Sequence, residues 1–383
     1  MRLALFTNSY HPMINGVVTN VDLIRYGTEV AGNDVMVFTA KHKKAEVEKN
    51  VERFPSFVWP PAKHYPVPIG FSPSVKRQLC EFAPDIIHVH HPFVLGKVAL
   101  KYAKATKTPI VMTFHTEYDI FVGYVPIPES WAKRLCNRIV RKYCNQLDHI
   151  ITPAASKEVL LHGYGVTTPV TVVPNGINLE DYKISAATKR AFLQRHGLVG
   201  KKLAMYIGRI SDEKNLEFLL QSWRIARRDT DAHLVIVGEG PMLEAYKNLA
   251  EWLGLNDCVT FTGPISYAEI PVAFSCARAA TLCMLYETLP TTCLEAQAAG
   301  VPAAVLPAVW SNDFYPMNPG TSIFAEPTPE SYAKVLLSLL QDDGLHATMR
   351  AACLESVVKY DLQNILRQIT EVYQLAKKEG GRA

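Results

Sequence analysis

The sequence has no long hydrophobic run, no marked charge of one sign and no regular cysteine spacing, and each absence removes a class of protein. Its longest apolar stretches, such as Ala279 to Tyr286, fall far short of the roughly 20 residues a membrane-spanning helix needs. After Arg2 the run Leu3-Ala4-Leu5-Phe6 is broken by Thr7-Asn8-Ser9, too soon for the core of a secretory signal. The eight cysteines are scattered, with no Cys-x-x-Cys pair, which predicts reduced, mostly buried thiols and a cytoplasmic location. Lys and Arg number 40 against 36 Asp and Glu, and a net charge of +4 is too mild to argue for nucleic acid. What remains is an ordinary globular composition, 48% apolar and 20% charged, over 383 residues, enough for two domains. The charge is unevenly spread. Residues 1–180 hold 20 basic and 14 acidic side chains and the remainder 20 and 22, so a partner for the basic excess is expected in the first half.

Short β-rich runs alternate with helix-length segments, and they do so twice. Arg2–Thr7, Asp34–Thr39, Asp85–Val89, Ile110–Phe114, His149–Thr152 and Val170–Val173 have the continuous apolar character of buried parallel strands. The alternation resumes with Leu203–Ile207, His233–Val237, Val259–Thr262, Thr281–Leu285 and Ala303–Leu306. A helix is expected over Val17–Ala31, and another after Ser72, which can cap it, with Pro73 in its first turn. The predicted fold class is α/β, two doubly wound parallel-sheet domains. Pro174-Asn175-Gly176 punctuates the boundary, giving domains at 1–175 and 176–360. With no low-complexity linker, the two are expected to face each other across a cleft. Residues 361–383 carry Leu362, Ile365, Leu366, Ile369, Val372, Tyr373 and Ala376 at helical spacing, a helix that buries one face, the first domain being one candidate for the surface it covers.

Ligands of open parallel sheets bind at the carboxyl ends of the strands, so the loops there hold the candidates. After the first strand, Asn15-Gly16-Val17 enters a helix, where exposed amides suit an anion or form a plain turn. Gly208-Arg209, with Lys214 five residues on, offers a planar fork and a point charge able to neutralise a diphosphate leaving group. Glu287 is expected in a loop and Glu295 about one turn inside a helix starting near Thr291; carboxylates there suit sugar and ribose hydroxyls. His115 ends a strand and can hydrogen-bond a substrate hydroxyl. Of His88, His90 and His91 only the first two share a strand face, which speaks against a metal site. Gly238-Glu239-Gly240 lacks the third glycine of the dinucleotide fingerprint, and Asp229-Thr230-Asp231 precedes its strand, at the wrong end of the sheet for a metal-bound sugar nucleotide.

In this order the motifs resemble the GT-B retaining glycosyltransferases of the family 4 type, which include lipid glucosyl- and mannosyltransferases. The set is Asn15-Gly16-Val17, His115-Thr116, Pro174-Asn175-Gly176, Gly208-Arg209 with Lys214, Gly238-Glu239-Gly240, and Glu287 leading to Glu295-Ala296-Gln297-Ala298-Ala299-Gly300-Val301-Pro302. The resemblance implies two Rossmann-like domains, the first binding the acceptor and the second a nucleotide sugar. It implies that Gly16, Arg209 and Lys214 hold the donor diphosphate, Glu295 the ribose, Glu287 the transferred sugar and His115 the sugar's outer hydroxyls. His115, Arg209, Lys214 and Glu287 are then the catalytic set. No metal and no cofactor are implied; the co-substrate is a nucleotide-diphosphate sugar, UDP-glucose in the leading assignment. Departures are Leu289-Pro290 in place of Phe-Gly, where proline lacks an N–H for a phosphate, Gln297 in place of Met, and an aromatic- and proline-rich Trp310 to Ser322.

The segment Tyr118 to Pro126 resembles bacterial diacylglycerol glucosyltransferases in particular. On the next helix, at about 100° per residue, Trp131, Leu135, Ile139, Val140, Tyr143 and Leu147 fall on one half and Lys133, Arg134, Arg138, Arg141 and Lys142 on the other. Such a helix lies on an anionic membrane surface, or packs its apolar face on the sheet with the cations in water. The leading function is hexosyl transfer to a diacylglycerol-type lipid by a peripheral membrane enzyme, with Tyr118, Trp131 and the five cations as acceptor or membrane residues. Alternatives are a mannosyl- or other glycosyltransferase acting on phosphatidylinositol, a polyprenyl-linked saccharide or a small metabolite, and a degenerate nucleotide-sugar-binding protein.

Overall fold

Apolar runs without polar alternation form strands buried on both faces, and only a parallel sheet covered by helices on both sides accommodates them. The structure, a computed structural model, describes residues 1–13, 15–58, 66–115, 118, 128–287 and 289–380. It divides into two units, Met1–Gly176 with Leu362–Ala383, and Ile177–Asp361.

In the first unit the strands are β1 (Arg2–Phe6), β2 (Asp34–Ala40), β3 (Val51–Phe54), β4 (Ser56–Val58), β5 (Pro66–Pro68), β6 (Ile86–Val89), β7 (Ile110–Thr113), β8 (His149–Thr152) and β9 (Val170–Val172). The main sheet is parallel in the order β3-β2-β1-β6-β7-β8-β9, and β4 pairs with β5 in a separate antiparallel ribbon. The helices are α1 (Gly16–Val30), α2 (Pro73–Phe82), α3 (Val94–Thr106), α4 (Glu129–Cys144) and α5 (Ala155–Gly163). Asn15 caps α1, its Oδ1 accepting from the Val17 and Val18 amides at 3.0 Å each. Ser72 caps α2 through the Val75 amide, with Pro73 in the first turn.

The second unit repeats the plan with β10 (Leu203–Ile207), β11 (His233–Val237), β12 (Val259–Gly263), β13 (Ala279–Leu282), β14 (Ala303–Val305) and β15 (Ser322–Phe324), ordered β12-β11-β10-β13-β14-β15. Its helices are α6 (Ala186–Arg195), α7 (Leu216–Ala226), α8 (Leu243–Trp252), α9 (Ile270–Ser275), α10 (Thr291–Ala298), α11 (Val309–Phe314), α12 (Pro329–Gln341) and α13 (Asp343–Ser356). The last helix, α14 (Leu362–Gly380), belongs to the first unit. Period-two alternation sends Ala4 and Phe6 toward the α2–α5 side, and Leu3 and Leu5 toward α1 and α14. There Ile365, Ile369 and Val372 are buried, each contributing about 1.5–3 kcal/mol by area.

Three main-sheet strands depart from expectation. The expected strand Thr281–Leu285 lies instead at Ala279–Leu282. Its end is taken over by side chains: the Leu282 amide donates to Tyr332 Oη (3.0 Å), Asn215 Nδ2 donates to the Cys283 carbonyl (3.2 Å) and Trp310 Nε1 to the Met284 carbonyl (3.0 Å). With these groups satisfied outside the ladder, the chain leaves the sheet. The edge strands β3 and β15 are short and give no continuous apolar run, so periodicity does not mark them.

The loops after β10 and β11 interlock. Gly208 N donates to the Val237 carbonyl (3.0 Å), Ile210 N to the Glu239 carbonyl (2.8 Å) and Met242 N to the Ile210 carbonyl (3.1 Å). A Cβ on Gly238 would lie 1.9 Å from the Gly208 oxygen, and one on Gly240 2.1 Å from the Ile210 oxygen. Both neighbours are backbone and cannot swing aside. Gly240→Ala is therefore expected to lower the melting temperature, by about 1–3 kcal/mol of stability or more. Gly344→Ala, inside α13 with its nearest atom at 3.5 Å, is the control and should be neutral or slightly stabilising. Equal melting of the two variants would show that the loop contact carries no stability.

Candidate functional site

In both main sheets the strand order reverses once, between β1 and β6 and between β10 and β13. Crevices at such reversals, outside the carboxyl ends, are where open α/β sheets bind ligands. The second unit places there the loops Gly208–Asn215 and Cys283–Glu287.

Arg209, Lys214 and Glu287 come together. Lys214 Nζ is hydrogen-bonded to Glu287 Oε1, both side chains being mostly buried. Burial pushes the Lys214 ammonium below its ordinary pKa; Glu213 opposes this, and the charge of Arg209 pushes it further down. Two cations thus sit close enough to repel, held at one strand end. The Tyr206 hydroxyl donates to the Arg209 carbonyl (2.7 Å), fixing the backbone that carries the guanidinium. Next to Lys214, Asn215 takes a left-handed conformation (φ 58°) and its amide reaches the Cys283 carbonyl, tying the lysine loop to the glutamate loop. Sequence reasoning missed Asn215 and Trp310 as supports of these loops. An Asn beside the key lysine was the only signal for the first, and the aromatic-rich departure after β14 the signal for the second.

Glu295 sits inside α10, buried, and desolvation pushes its carboxyl up to about 7. Its charge is felt at Cys293, as is that of Lys214, so the two flank the same thiol. A carboxyl this buried is no helix-flanking surface group; it suits a ligand that brings hydroxyl donors. Pro290 stands just before Thr291, the first residue of α10, and Thr292 Oγ1 is buried with no partner among the described residues. Thr292 is thus a further polar group at this helix start, signalled in the sequence only by the pair Thr291-Thr292. Thr288 lies outside the described residues.

In the first unit Gly16 opens α1, but the Val17 and Val18 amides are already taken by Asn15 Oδ1, leaving fewer helix-start donors for an anion than the turn alone implies. Asn15 is itself held by Ser9, its Nδ2 donating to Oγ at 2.9 Å. His115 follows β7, half-buried, with its Nε2 2.9 Å from His90 Nδ1. Burial holds both rings well below the ordinary histidine pKa, so both are neutral. His88 and His90 do share a face, and their rings stack at 4.4 Å; the His88 nitrogens bond the hydroxyls of Tyr373 and Thr113. Thr116 and the stretch 119–126 lie outside the described residues. Tyr118 packs edge-on against Phe93 and Phe114, a core-side position rather than a surface one.

Helix α4 divides differently from the expected halves. Ala132, Val140, Tyr143 and Cys144, with Leu147 just beyond, are buried against the sheet, whereas Trp131 is 70% and Leu135 52% exposed. The reason is that the sheet-facing stripe runs through Ala132, Cys136, Val140 and Tyr143, a spacing that leaves Trp131 and Leu135 on the opposite side. They lie among exposed Arg134, Arg138, Arg141 and Lys142; Lys133 is half-buried on the flank. The outward face therefore carries an aromatic and a leucine amid four cations.

Residues 14–181 match the model of Glycosyltransferase Family 4, and residues 189–354 that of Glycosyl transferases group 1. The alpha-monoglucosyldiacylglycerol synthase of Streptococcus pneumoniae is 29% identical over 318 residues, covering 79% of this chain and 70% of that protein. A GDP-mannose-dependent alpha-mannosyltransferase of Corynebacterium glutamicum is 25% identical over 390 residues, 97% of this chain and 88% of its own. Among solved structures, HepE of Anabaena in complex with UDP and glucose superposes with a TM-score of 0.77 at 17% identity, over 98% of this chain and 99% of that one. With two such sheets, a match to a glycosyltransferase model in each unit, and these relatives, the chain belongs to the GT-B glycosyltransferases of the family 4 type.

Proposed function

We propose that the protein moves a hexose, glucose from UDP-glucose, onto a diacylglycerol-type lipid at a membrane surface, with retention of anomeric configuration. The observation that carries the donor half is the Lys214–Glu287 pair beside Arg209 at the carboxyl edge of the second sheet. As the sugar–phosphate C–O bond breaks, charge develops on the leaving diphosphate, and two fixed cations in a partly desolvated site stabilise it without reorganising. The acceptor hydroxyl attacks the face the phosphate vacates, and its proton passes to the leaving phosphate oxygen. Glu287, anchored by Lys214, would take the sugar hydroxyls, and buried Glu295 the ribose hydroxyls. The step calls for no metal, because the two side-chain cations supply the charge.

The lipid half rests on the outward face of α4 and on the name of the S. pneumoniae relative. Exposed Trp131 and Leu135 suit the headgroup boundary, and each neighbouring cation adds about 1 kcal/mol near anionic lipid. No described helix is long and apolar enough to cross a membrane, so attachment would be peripheral. The C. glutamicum relative supports a second reading, mannosyl transfer from GDP-mannose. A donor screen that measures UDP against GDP release separates the two.

Lys214→Ala is expected to lower kcat by about 10²–10³-fold, the cost of removing one transition-state charge partner; normal turnover would remove the site from consideration. A Glu295 carboxyl near pKa 7 gives a second expectation. The ionised form accepts ribose hydroxyls, so kcat/KM for the donor should fall as pH drops below about 7, by about tenfold per unit. Glu295→Gln should lower kcat/KM and abolish this acid limb, and a limb that persists in the variant belongs to another group. Finally, wild-type protein should sediment with vesicles containing phosphatidylglycerol and less so at high salt. Trp131→Ala with Leu135→Ala should weaken this at any salt, and absence of binding at low salt would sink the membrane half.

A further inference from the structure

Outside the charged cluster, a chain of histidines lies under the carboxyl edge of the first sheet. It runs from α14 to the end of β7. The Tyr373 hydroxyl lies 2.8 Å from His88 Nδ1, and His88 Nε2 2.7 Å from Thr113 Oγ1. The His88 ring stacks on His90 at 4.4 Å, and His90 stacks on His115 at 5.1 Å with Nδ1 2.9 Å from His115 Nε2. His88 and His90 are fully buried.

Proton accounting separates the members. Both nitrogens of His88 face hydroxyls, which donate or accept as needed, so either tautomer is satisfied. His90 differs, because its Nε2 is buried with no partner among the described residues. Between His90 and His115 there is one hydrogen bond and hence one proton, which belongs to one ring or the other. Were His115 the donor, the proton of His90 would sit on Nε2, an N–H buried without an acceptor. Were His90 the donor, Nε2 would be only a bare acceptor. Orphaned buried N–H groups are the rarer of the two. Desolvation disfavours the charged forms that would otherwise supply a second proton.

We infer that His90 is a positioning residue whose Nδ1–H donates to His115 Nε2, holding His115 as the Nδ1–H tautomer. With its ring proton on Nδ1, His115 has its Nε2 occupied and unable to serve as a base. His88, clamped by Tyr373 and Thr113, is the platform on which His90 stacks, which gives the C-terminal helix a part in setting a side chain at the end of β7. The kinetic consequence rests on the reading of His115 as a contact for the sugar; the tautomer does not.

Two measurements test this separately. Long-range 1H–15N spectra of protein labelled with 15N-histidine, with His115 assigned by its loss in His115→Gln, should show the Nδ1–H pattern for His115. An Nε2–H or imidazolium pattern overturns the inference. In kinetics, His90→Phe keeps a ring over His88 but removes the donor, whereas His90→Asn can place an amide N–H where Nδ1–H was. His90→Phe is expected to lose about 10–100-fold in kcat/KM for the donor, as loss of an orienting partner does elsewhere. His90→Asn should recover most of that loss and the wild-type His115 spectrum. If His90→Phe keeps the wild-type spectrum, or His90→Asn recovers neither spectrum nor rate while melting normally, the positioning role is wrong. If His115→Ala turns over normally while the spectrum is as expected, the role of His115 fails and the tautomer assignment stands.

Discussion

A parallel sheet leaves the backbone groups at its carboxyl edge without ladder partners, and nearly everything functional here depends on how those groups are satisfied. At the end of β13 the work falls to three side chains, Tyr332, Asn215 and Trp310, which take the Leu282 amide and the Cys283 and Met284 carbonyls. The chain is thereby turned out of the sheet with Glu287 beside Lys214. At the end of β10 the adjoining loop does it instead, Glu239 and Val237 receiving the Ile210 and Gly208 amides. That contact needs the bare backbones of Gly238 and Gly240. The backbone of Arg209 and the side chain of Lys214 are thus held by the fold itself.

Desolvation does the rest of the chemistry. The same burial that lifts the Glu295 carboxyl to about 7 keeps His88, His90 and His115 neutral and presses the Lys214 ammonium down. A group whose charge is expensive in the folded chain gains most from a ligand that supplies hydrogen bonds or countercharge. The two units use this in opposite ways. The second holds partly buried charges, and the first holds neutral rings.

Helix α4 shows the limit of pattern alone. Composition and periodicity announce an amphipathic helix with cations opposite an apolar face. Which apolar residues meet the sheet depends on the helix's rotation, and one step of rotation puts Ala132 and Cys136 inward and Trp131 and Leu135 outward. The result is an outward surface in which Trp131 and Leu135 mix with cations, while the rest of the apolar face packs inward.

The sequence by itself determined the α/β class, the two parallel sheets, most strand positions, the caps of α1 and α2, and the identity of Arg209, Lys214, Glu287 and Glu295 as candidates. All of these are local: buried strands read as unbroken apolar runs, caps as Asn or Ser before a helix, and strand-end residues as the polar positions just past each run. Only the tertiary structure decided that Lys214 pairs with Glu287, that Asn215 and Trp310 bind the loop carrying it, that Glu295 is buried deeply enough to titrate near neutrality, and that His90 reaches His115. Those pairings join residues 25 to 73 positions apart, whose proximity is set by sheet order and by what excludes water. Neither is written in the local spacing of side chains.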